Sequence, residues 1–303
     1  MREIAVIILT MNQRKKTLQC LAALNESTTS ALSVLVWDNG SQDGTAAAVQ
    51  KTFSDLLVHE HSTNLGVASG RNAAAALAIE TFNPTHLLFL DNDILVEPNF
   101  VEALYKPFTE DGRVGQTQAK LRFTHDRQRL NDGGGNRINF ILWQTTPVGF
   151  KEIDRGQYDT IKRCISCGGA MMVRRDVFEQ LGGFDPIFDP FGPEDADFSL
   201  RLQKAGYCAL YIPQAVAYHE VSHTFGKGYS EIYARHKSRH WFKFMRRHAS
   251  PIQQLGFFLL GAPYLVVRVA LREGRKGNLG ALRGLVSGLF DLARPSAKTK
   301  DSL

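Results

Sequence analysis

At 303 residues, 44% of them hydrophobic, the chain is long enough to bury a sizeable core in one large domain plus an appendage, which excludes a disordered tail or a mini-protein. The formal net charge of +6 is unevenly spread: residues 1–234 hold 22 basic and 27 acidic groups, a net −5, whereas residues 235–303 hold 14 and 3, a net +11. Four cysteines (Cys20, Cys164, Cys167 and Cys208) are too few and too irregular for a disulfide framework, and Met1-Arg2-Glu3-Ile4 runs into a strand-like stretch with no secretory signal, so a reducing cytoplasm is expected.

Ile4 to Thr10 is an unbroken apolar run of strand length, followed by a polar break and by Thr17 to Leu24 at helical spacing, which predicts a buried parallel strand and a helix. The pattern repeats. Leu32 to Trp37 reads as a strand, Ser41 to Gly44 as a turn, Thr45 to Phe53 as a helix and Leu56 to His61 as a short strand. Asn72 to Phe82 is an alanine-rich helix and His86 to Leu90 the next strand. This alternation predicts an α/β fold with a doubly wound, mostly parallel sheet. Pro98 suits the first position of a helix through Phe108, Gly182-Gly183 closes a helix that begins near Asp176, and another runs from about Ala196 to Ala205 before Gly206. Between Arg122 and Lys162 periodicity is weak, and Gly133-Gly134-Gly135 falls within a long loop of a kind that is usually functional or mobile.

From Glu231 the chain turns helical and basic. Leu255 to Val267 is apolar but only 13 residues long and contains Pro263. A bilayer span needs ~20 apolar residues, so the stretch is expected to be interfacial or re-entrant. Gly280 to Leu292 looks amphipathic as well. The expected organisation is an α/β domain over 1–228 and a helical, membrane-associating extension over 229–303. Arg235 to Arg247 interleaves cations with aromatic residues, as a nucleic-acid surface would, although a solvated helix face is the plainer account. The apolar content of the same segment favours an anionic membrane over nucleic acid. Cys164-Ile165-Ser166-Cys167 has the spacing of half a zinc site without a second pair, so it reads as two chance cysteines.

Ligands of open α/β sheets sit at the carboxyl ends of the strands, and the polar residues there form a set. After the first strand stand Thr10-Met11-Asn12, without the glycine-rich turn of a dinucleotide fold, which argues against an NAD-dependent dehydrogenase. After the second stands Asp38, placed to accept from the N–H of a pyrimidine, within an Asn-Gly/Asp-Gly segment that could equally be a plain turn. Asn64-Leu65-Gly66 through Arg71-Asn72 offers close backbone approach and a cation ahead of a helix, which suits a nucleotide phosphate. Asp91-Asn92-Asp93 places two carboxylates after a buried run, hard oxygen ligands for Mg2+ or Mn2+ against a diphosphate. Gly168-Gly169 gives a ligand room near backbone. Glu194 and Asp195 open a helix, where carboxylates are favoured by the free N–H groups in any case, yet Asp195 so placed is also a candidate base for an acceptor hydroxyl. His219 ends a strand-like run, with Glu220 and His223 beyond it, and is a candidate third metal ligand.

Together these segments resemble the inverting glycosyltransferase family 2, with its GT-A fold, and look most like its rhamnosyltransferase-type bacterial members. The similarity runs from Ile4 to about Ala293 and rests on the order and spacing of the stretches 38–44, 64–72, 91–93, 168–174, 182–185, 194–197 and His219. The resemblance implies that Asp38 and Thr10 contact the base, Arg71 and Asn72 the nucleotide, Asp91 the ribose, Asp93 and His219 the metal, and that Asp195 is the catalytic base. Asn12, Asn64, Gly66, Asn92, Gly168 and Gly169 complete the expected donor site, Asp91 shares in the metal, and Glu194 accompanies the base. Asn92 stands where some relatives have aspartate. The expected activity is transfer of a sugar, L-rhamnose from a thymidine-linked donor or else a uridine-linked sugar, onto a cell-surface glycan or lipid-linked precursor at the cytoplasmic face of a membrane. The competing expectation is a non-catalytic nucleotide- or glycan-binding scaffold.

Overall fold

The computed structural model describes residues 4–27, 32–220 and 230–290; His223 and the end of the amphipathic stretch, 291–292, lie outside them. In chain order the first half comprises β1 (Ile4–Thr10), α1 (Arg14–Asn25), β2 (Leu32–Asp38), α2 (Thr45–Thr52), β3 (Leu57–Glu60), α3 (Val67–Phe82), β4 (His86–Asp91), β5 (Ile94–Val96), α4 (Phe100–Glu110) and β6 (Val114–Phe123). Four short strands follow, β7 (Leu130–Asp132), β8 (Asn136–Asn139), β9 (Gln144–Pro147) and β10 (Lys162–Arg163), then β11 (Ala170–Arg174), α5 (Arg175–Gln180), α6 (Glu194–Lys204) and β12 (Cys208–His219). The chain continues as α7 (Glu231–His248), α8 (Pro251–Gly256), α9 (Ala262–Gly274) and α10 (Leu279–Phe290).

An apolar run without alternation needs cover on both faces. β1 obtains it at the centre of a mixed sheet ordered β10-β12-β6-β11-β4-β1-β2-β3, with β5 beside β12 and β7 beside β6. β4, β1, β2 and β3 are parallel neighbours, and β11 is inserted antiparallel between β4 and β6. Side chains of β1 alternate between two cores: Val6 and Ile8 join Leu21, Leu24, Phe100 and Leu104 on one face, while Ala5 and Ile7 join Ala74, Ala75, Phe178 and Phe198 on the other. The register pairs Thr10 with Asp38 and Leu9 with Asp91, so the carboxyl ends of β1, β2 and β4 form one rim.

Several elements depart from the sequence expectation. α3 begins at Val67 rather than Asn72 because Asp189, far downstream, accepts from the N–H groups of Ala68 (2.9 Å) and Ser69 (3.2 Å) and so caps a helix end that the local sequence leaves open. The expected loop between Arg122 and Lys162 contains β7 to β10. Strands of two to four residues are too short for a periodic signal, and side chains order them instead: Lys120 and Arg122 on β6 hold the buried Asp154, and Asp132 accepts from the N–H groups of Gly134 and Gly135.

The chain divides into two compact units, the first made of 1–138, 145–189 and 194–222, and the second of 139–144, 190–193 and 223–303. Within the second, Ser230 caps α7 through its hydroxyl, and Trp143 stacks on Phe257 with ring centroids 4.0 Å apart. α10 turns Gly284 and Gly288 toward α7 so closely that an added Cβ would lie 2.1 Å from the Glu231 carbonyl oxygen and 2.3 Å from that of Arg235. The apolar segment is also longer than expected. A π turn over Phe257–Gly261 joins α8 to α9 and sits immediately before Pro263, where a widened turn relieves the clash a proline makes with the preceding carbonyls. The result is one 24-residue helix, Pro251–Gly274, and among the described residues it alone is long and apolar enough to cross a membrane. Ile252, Leu259, Leu260 and Val267 on it are all more than half exposed.

Candidate active site

The rim gathers its carboxylates because of pairing on both sides of the Asp91–Asp93 turn. β4 ends at Asp91, β5 begins at Ile94, and β5 pairs with the last residues of β12, setting His219 opposite Ile94. His219 Nε2 consequently lies 3.4 Å from Oδ1 of the buried Asp93, and Nδ1 lies 3.0 Å from Asn131 Oδ1. Burial pulls the His219 pKa down, but the Asp93 carboxylate outweighs it and the net shift is upward.

Asp91 is held by Arg71. The guanidinium, on α3 and buried, places Nη2 2.6 Å from Asp91 Oδ1 and Nη1 3.4 Å from Glu194 Oε1 on the first turn of α6. Glu194 is buried as well, and its contact with Arg71 makes it a tether for that turn. The neighbouring Asp195 is pushed up to about 6, chiefly by burial, with Arg71 acting in the opposite direction. It faces Gly168, where an added Cβ would lie 2.4 Å from Asp195 Oδ2. Gly169 has φ of +73°, and an added Cβ there would lie 3.4 Å from Asp91 Oδ2. The Gly168-Gly169 pair thus keeps open the ground between Asp91 and Asp195.

The other expected site residues lie along the same rim, each with bonds that hold it. Asp38 is buried and accepts from Ser41 N–H (2.8 Å) and Ala46 N–H (3.2 Å), the bonds of a turn running into a helix. Thr10 shares its hydroxyl with Thr17 at 2.7 Å, and Asn92 donates its amide to both hydroxyls at 3.0 and 3.1 Å. Asn12 adopts φ of +53° and accepts from Gln42 N–H, while Asn64 accepts from Gly66 N–H and from the Asn39 amide. Gly66 itself, at φ of +90°, lets Asp189 approach to within 2.4 Å of where a Cβ would stand. Asn72 ties α3 to both backbone groups of Phe184. In this conformation the α3 N-terminus carries the Asp189 carboxylate and Arg71 is ion-paired, so both features expected to receive a phosphate are occupied from within the chain.

Sequence reading passed over Asn131, Asp189 and Gln118. The Gln118 amide fixes Gly168 by accepting from its N–H (2.8 Å) and donating to its carbonyl (3.2 Å). A signal for it existed: Val114–Phe123 carries Gln116, Thr117, Gln118 and Lys120, and polar residues in a central strand, all buried here, need partners.

The sequence profile described as Glycosyl transferase family 2 matches residues 5–182. The chain belongs to this family. A second profile, described as the N-terminal domain of galactosyltransferase, matches residues 158–225. Among curated relatives of this transferase, the N-acetylglucosaminyl-diphospho-decaprenol L-rhamnosyltransferase of Mycobacterium tuberculosis is 27% identical over 87% of this chain and 92% of its own length. The galactofuranosyltransferase GlfT2 of the same organism is 26% identical over 71% of this chain and 37% of its own length. In fold the transferase is similar to the mannosyltransferase PcManGT from Pyrobaculum calidifontis in complex with GDP-Man and Mn2+, at a TM-score of 0.56 and 21% identity, covering 97% of this chain and 76% of that one. It is also similar to GalNAc-T7 with UDP, GalNAc and Mn2+, at a TM-score of 0.60 and 17% identity, covering 74% of this chain and 44% of the other. These likenesses establish the GT-A type sheet.

Among the described residues no three metal-ligating side chains converge. The pair Asp93 and His219 nevertheless suits one hard divalent ion: bonds of about 2.1 Å at right angles put neighbouring ligands about 3 Å apart, and the observed 3.4 Å needs little adjustment. Nε2 of His219 faces Asp93 Oδ1 and Nδ1 faces Asn131 Oδ1, so the ring has an oxygen on each side; with a cation at Nε2 its remaining proton would stay on Nδ1 against Asn131.

Gly168→Ala has no left-handed backbone to strain, so its effect should fall on the Asp195 carboxylate that the new methyl displaces. The variant is expected to melt within a few degrees of the wild type and to lose at least about tenfold in turnover, the order of cost of a small misplacement within a site. Steady-state kinetics alongside thermal melting check both halves of that expectation.

Proposed function

We propose that the chain is an inverting, divalent-metal-dependent glycosyltransferase that moves a sugar, L-rhamnose from a thymidine-diphosphate donor in the leading reading, onto a lipid-linked precursor or cell-surface glycan. The observation that carries the chemistry is Asp195: a carboxylate with a pKa near 6, on the first turn of a helix, across a glycine from the Asp91–Asp93 rim. The donor and acceptor classes are supported by the L-rhamnosyltransferase relative, which is alike over nearly its whole length.

In this reading Asp195 takes the proton of the acceptor hydroxyl as that oxygen attacks the anomeric carbon in line with the departing nucleoside diphosphate. The transition state resembles an oxocarbenium ion, and no covalent sugar intermediate forms. A base of pKa near 6 suffices because the alcohol acidifies as its bond to the sugar develops. Asp93 and His219 would hold the metal with a share from Asp91, and a divalent ion there, when bound, would offset charge on the leaving diphosphate. Arg71 and Glu194 keep Asp91 and the α6 turn in place. Thr10, Asn12, Asp38, Asn64, Gly66, Asn72, Asn92, Gly168 and Gly169 form the wall on which the donor nucleotide lies, with Asp38 meeting the base through lone pairs that the turn leaves over. A uridine-linked donor is the second reading, favoured by the fold likeness to an enzyme with UDP and Mn2+. A panel of thymidine-, uridine- and guanosine-linked sugars assayed by nucleotide release decides between them: thymidine-linked rhamnose should be hydrolysed fastest, and turnover of none of them would remove the enzymatic reading altogether.

The α8–α9 helix, with its exposed leucines and a unit rich in Arg and Lys, is proposed to lie on the cytoplasmic face of an anionic membrane, and no nucleic-acid partner is invoked. Flotation with liposomes should carry the protein up with anionic vesicles, and Leu259→Glu together with Leu260→Glu should leave it at the bottom.

The pH dependence follows from Asp195. Its folded pKa is raised, so the base is ionised above about pH 6 and kcat/KM should fall as the pH drops below that value. Asp195→Asn is expected to lose about 10²–10⁴-fold in transfer. Because the raised pKa means that the ionised carboxylate costs stability, the variant should melt higher than wild type above pH 6, and the gain should fade as the pH falls toward 4, where the folded wild type takes up its proton. Transfer by Asp195→Asn at the wild-type rate would end the assignment of the base.

A further inference from the structure

We propose that Asn131 is a positioning residue that sets the orientation and tautomer of His219, and through it the affinity of the rim for a divalent cation. The inference rests on the metal reading of Asp93 and His219 given above. Its starting point is a local irregularity of the sheet: β7 pairs with β6 through Asp132 opposite Leu121 and Leu130 opposite Arg122, so Asn131 is an extra residue with no partner in the ladder. A bulge of this kind redirects a side chain that regular pairing would have sent elsewhere. Here the Asn131 side chain, buried, reaches the last residue of β12 and places its Oδ1 3.0 Å from His219 Nδ1. The backbone is fixed by the same turn, since Thr124 N–H donates to the His219 carbonyl (3.2 Å) and Phe123 N–H to that of Arg129 (3.0 Å).

The ring has an oxygen on each side; once Nε2 gives its lone pair to a cation, the one remaining proton sits on Nδ1, where Asn131 Oδ1 accepts it and holds the ring in that orientation. Nε2 is the atom facing Asp93 Oδ1. An aspartate at 131 would select the same tautomer, whereas a residue without an acceptor would let the proton move to Nε2 and the ring rotate away. The role asks for an oxygen acceptor of this length, which is a stricter requirement than filling the space.

The test is calorimetric titration of Mn2+ into the full chain in the presence of thymidine diphosphate, for the wild type, Asn131→Ala, Asn131→Asp, His219→Ala and Asp93→Ala. Asn131→Ala is expected to lose about 10–100-fold in Mn2+ affinity, the usual cost of removing the partner of a ligating histidine, and Asn131→Asp to stay within a few-fold of wild type. Asn131→Leu, equal in size and without an acceptor, replaces the alanine variant if that fails to fold. Nitrogen chemical shifts of the His219 ring, recorded with diamagnetic Mg2+, should report metal at Nε2 and a proton at Nδ1 in the wild type and in Asn131→Asp, and lose the Nε2 metal shift in Asn131→Ala. Wild-type Mn2+ affinity in Asn131→Ala while His219→Ala and Asp93→Ala lose it would overturn the positioning role alone; retention of Mn2+ by all of them would overturn the metal reading and this inference with it.

Discussion

Three carboxylates, Asp91, Glu194 and Asp195, come from two distant stretches of chain and repel one another, and the buried guanidinium of Arg71 is what lets them share one end of the sheet. It contacts Asp91 and Glu194 directly and offsets the field at Asp195. The Arg71–Glu194 contact is buried on both sides, and removing one partner of such a pair costs about 3–5 kcal/mol because the other charge is left stranded, so it governs how the rim folds. The position of the first turn of α6, and the limit on how far burial raises the Asp195 pKa, both depend on it.

The rim is also held together by bonds of its own. Most of the polar residues that line it are bonded to each other: Thr10 to Thr17 and Asn92, Asp38 to the α2 turn, Asn64 to Asn39. A wall of mutually satisfied groups presents fixed dipoles and has little entropy to lose.

Much of this was legible in the sequence where the signal is local. The apolar run Ile4 to Thr10, the Asp-Asn-Asp turn after His86 to Leu90 and the acidic start of α6 each announce themselves within a few residues, and the rule that ligands gather at strand carboxyl ends brought them together. What stayed hidden is the long-range partner. Nothing near Val67 says that Asp189 will cap α3, and nothing near Leu130 says that a bulge will aim Asn131 at His219, since both depend on chain segments about a hundred residues apart. The strands between Arg122 and Lys162 escaped notice for another reason: they are shorter than the period needed to detect them. Pro263 misled in the opposite direction, because a single π turn absorbs it and the helix runs on to Gly274.

Asn92 bears on how the turn between β4 and β5 is fastened to the rest of the sheet. Its amide is spent inward on two threonine hydroxyls, so the middle position of the turn contributes rigidity and no charge. An aspartate there would have no N–H to give to either hydroxyl and would set a third carboxylate between Asp91 and Asp93, so the tie that fastens this turn to β1 and α1 depends on the amide and would be lost with it.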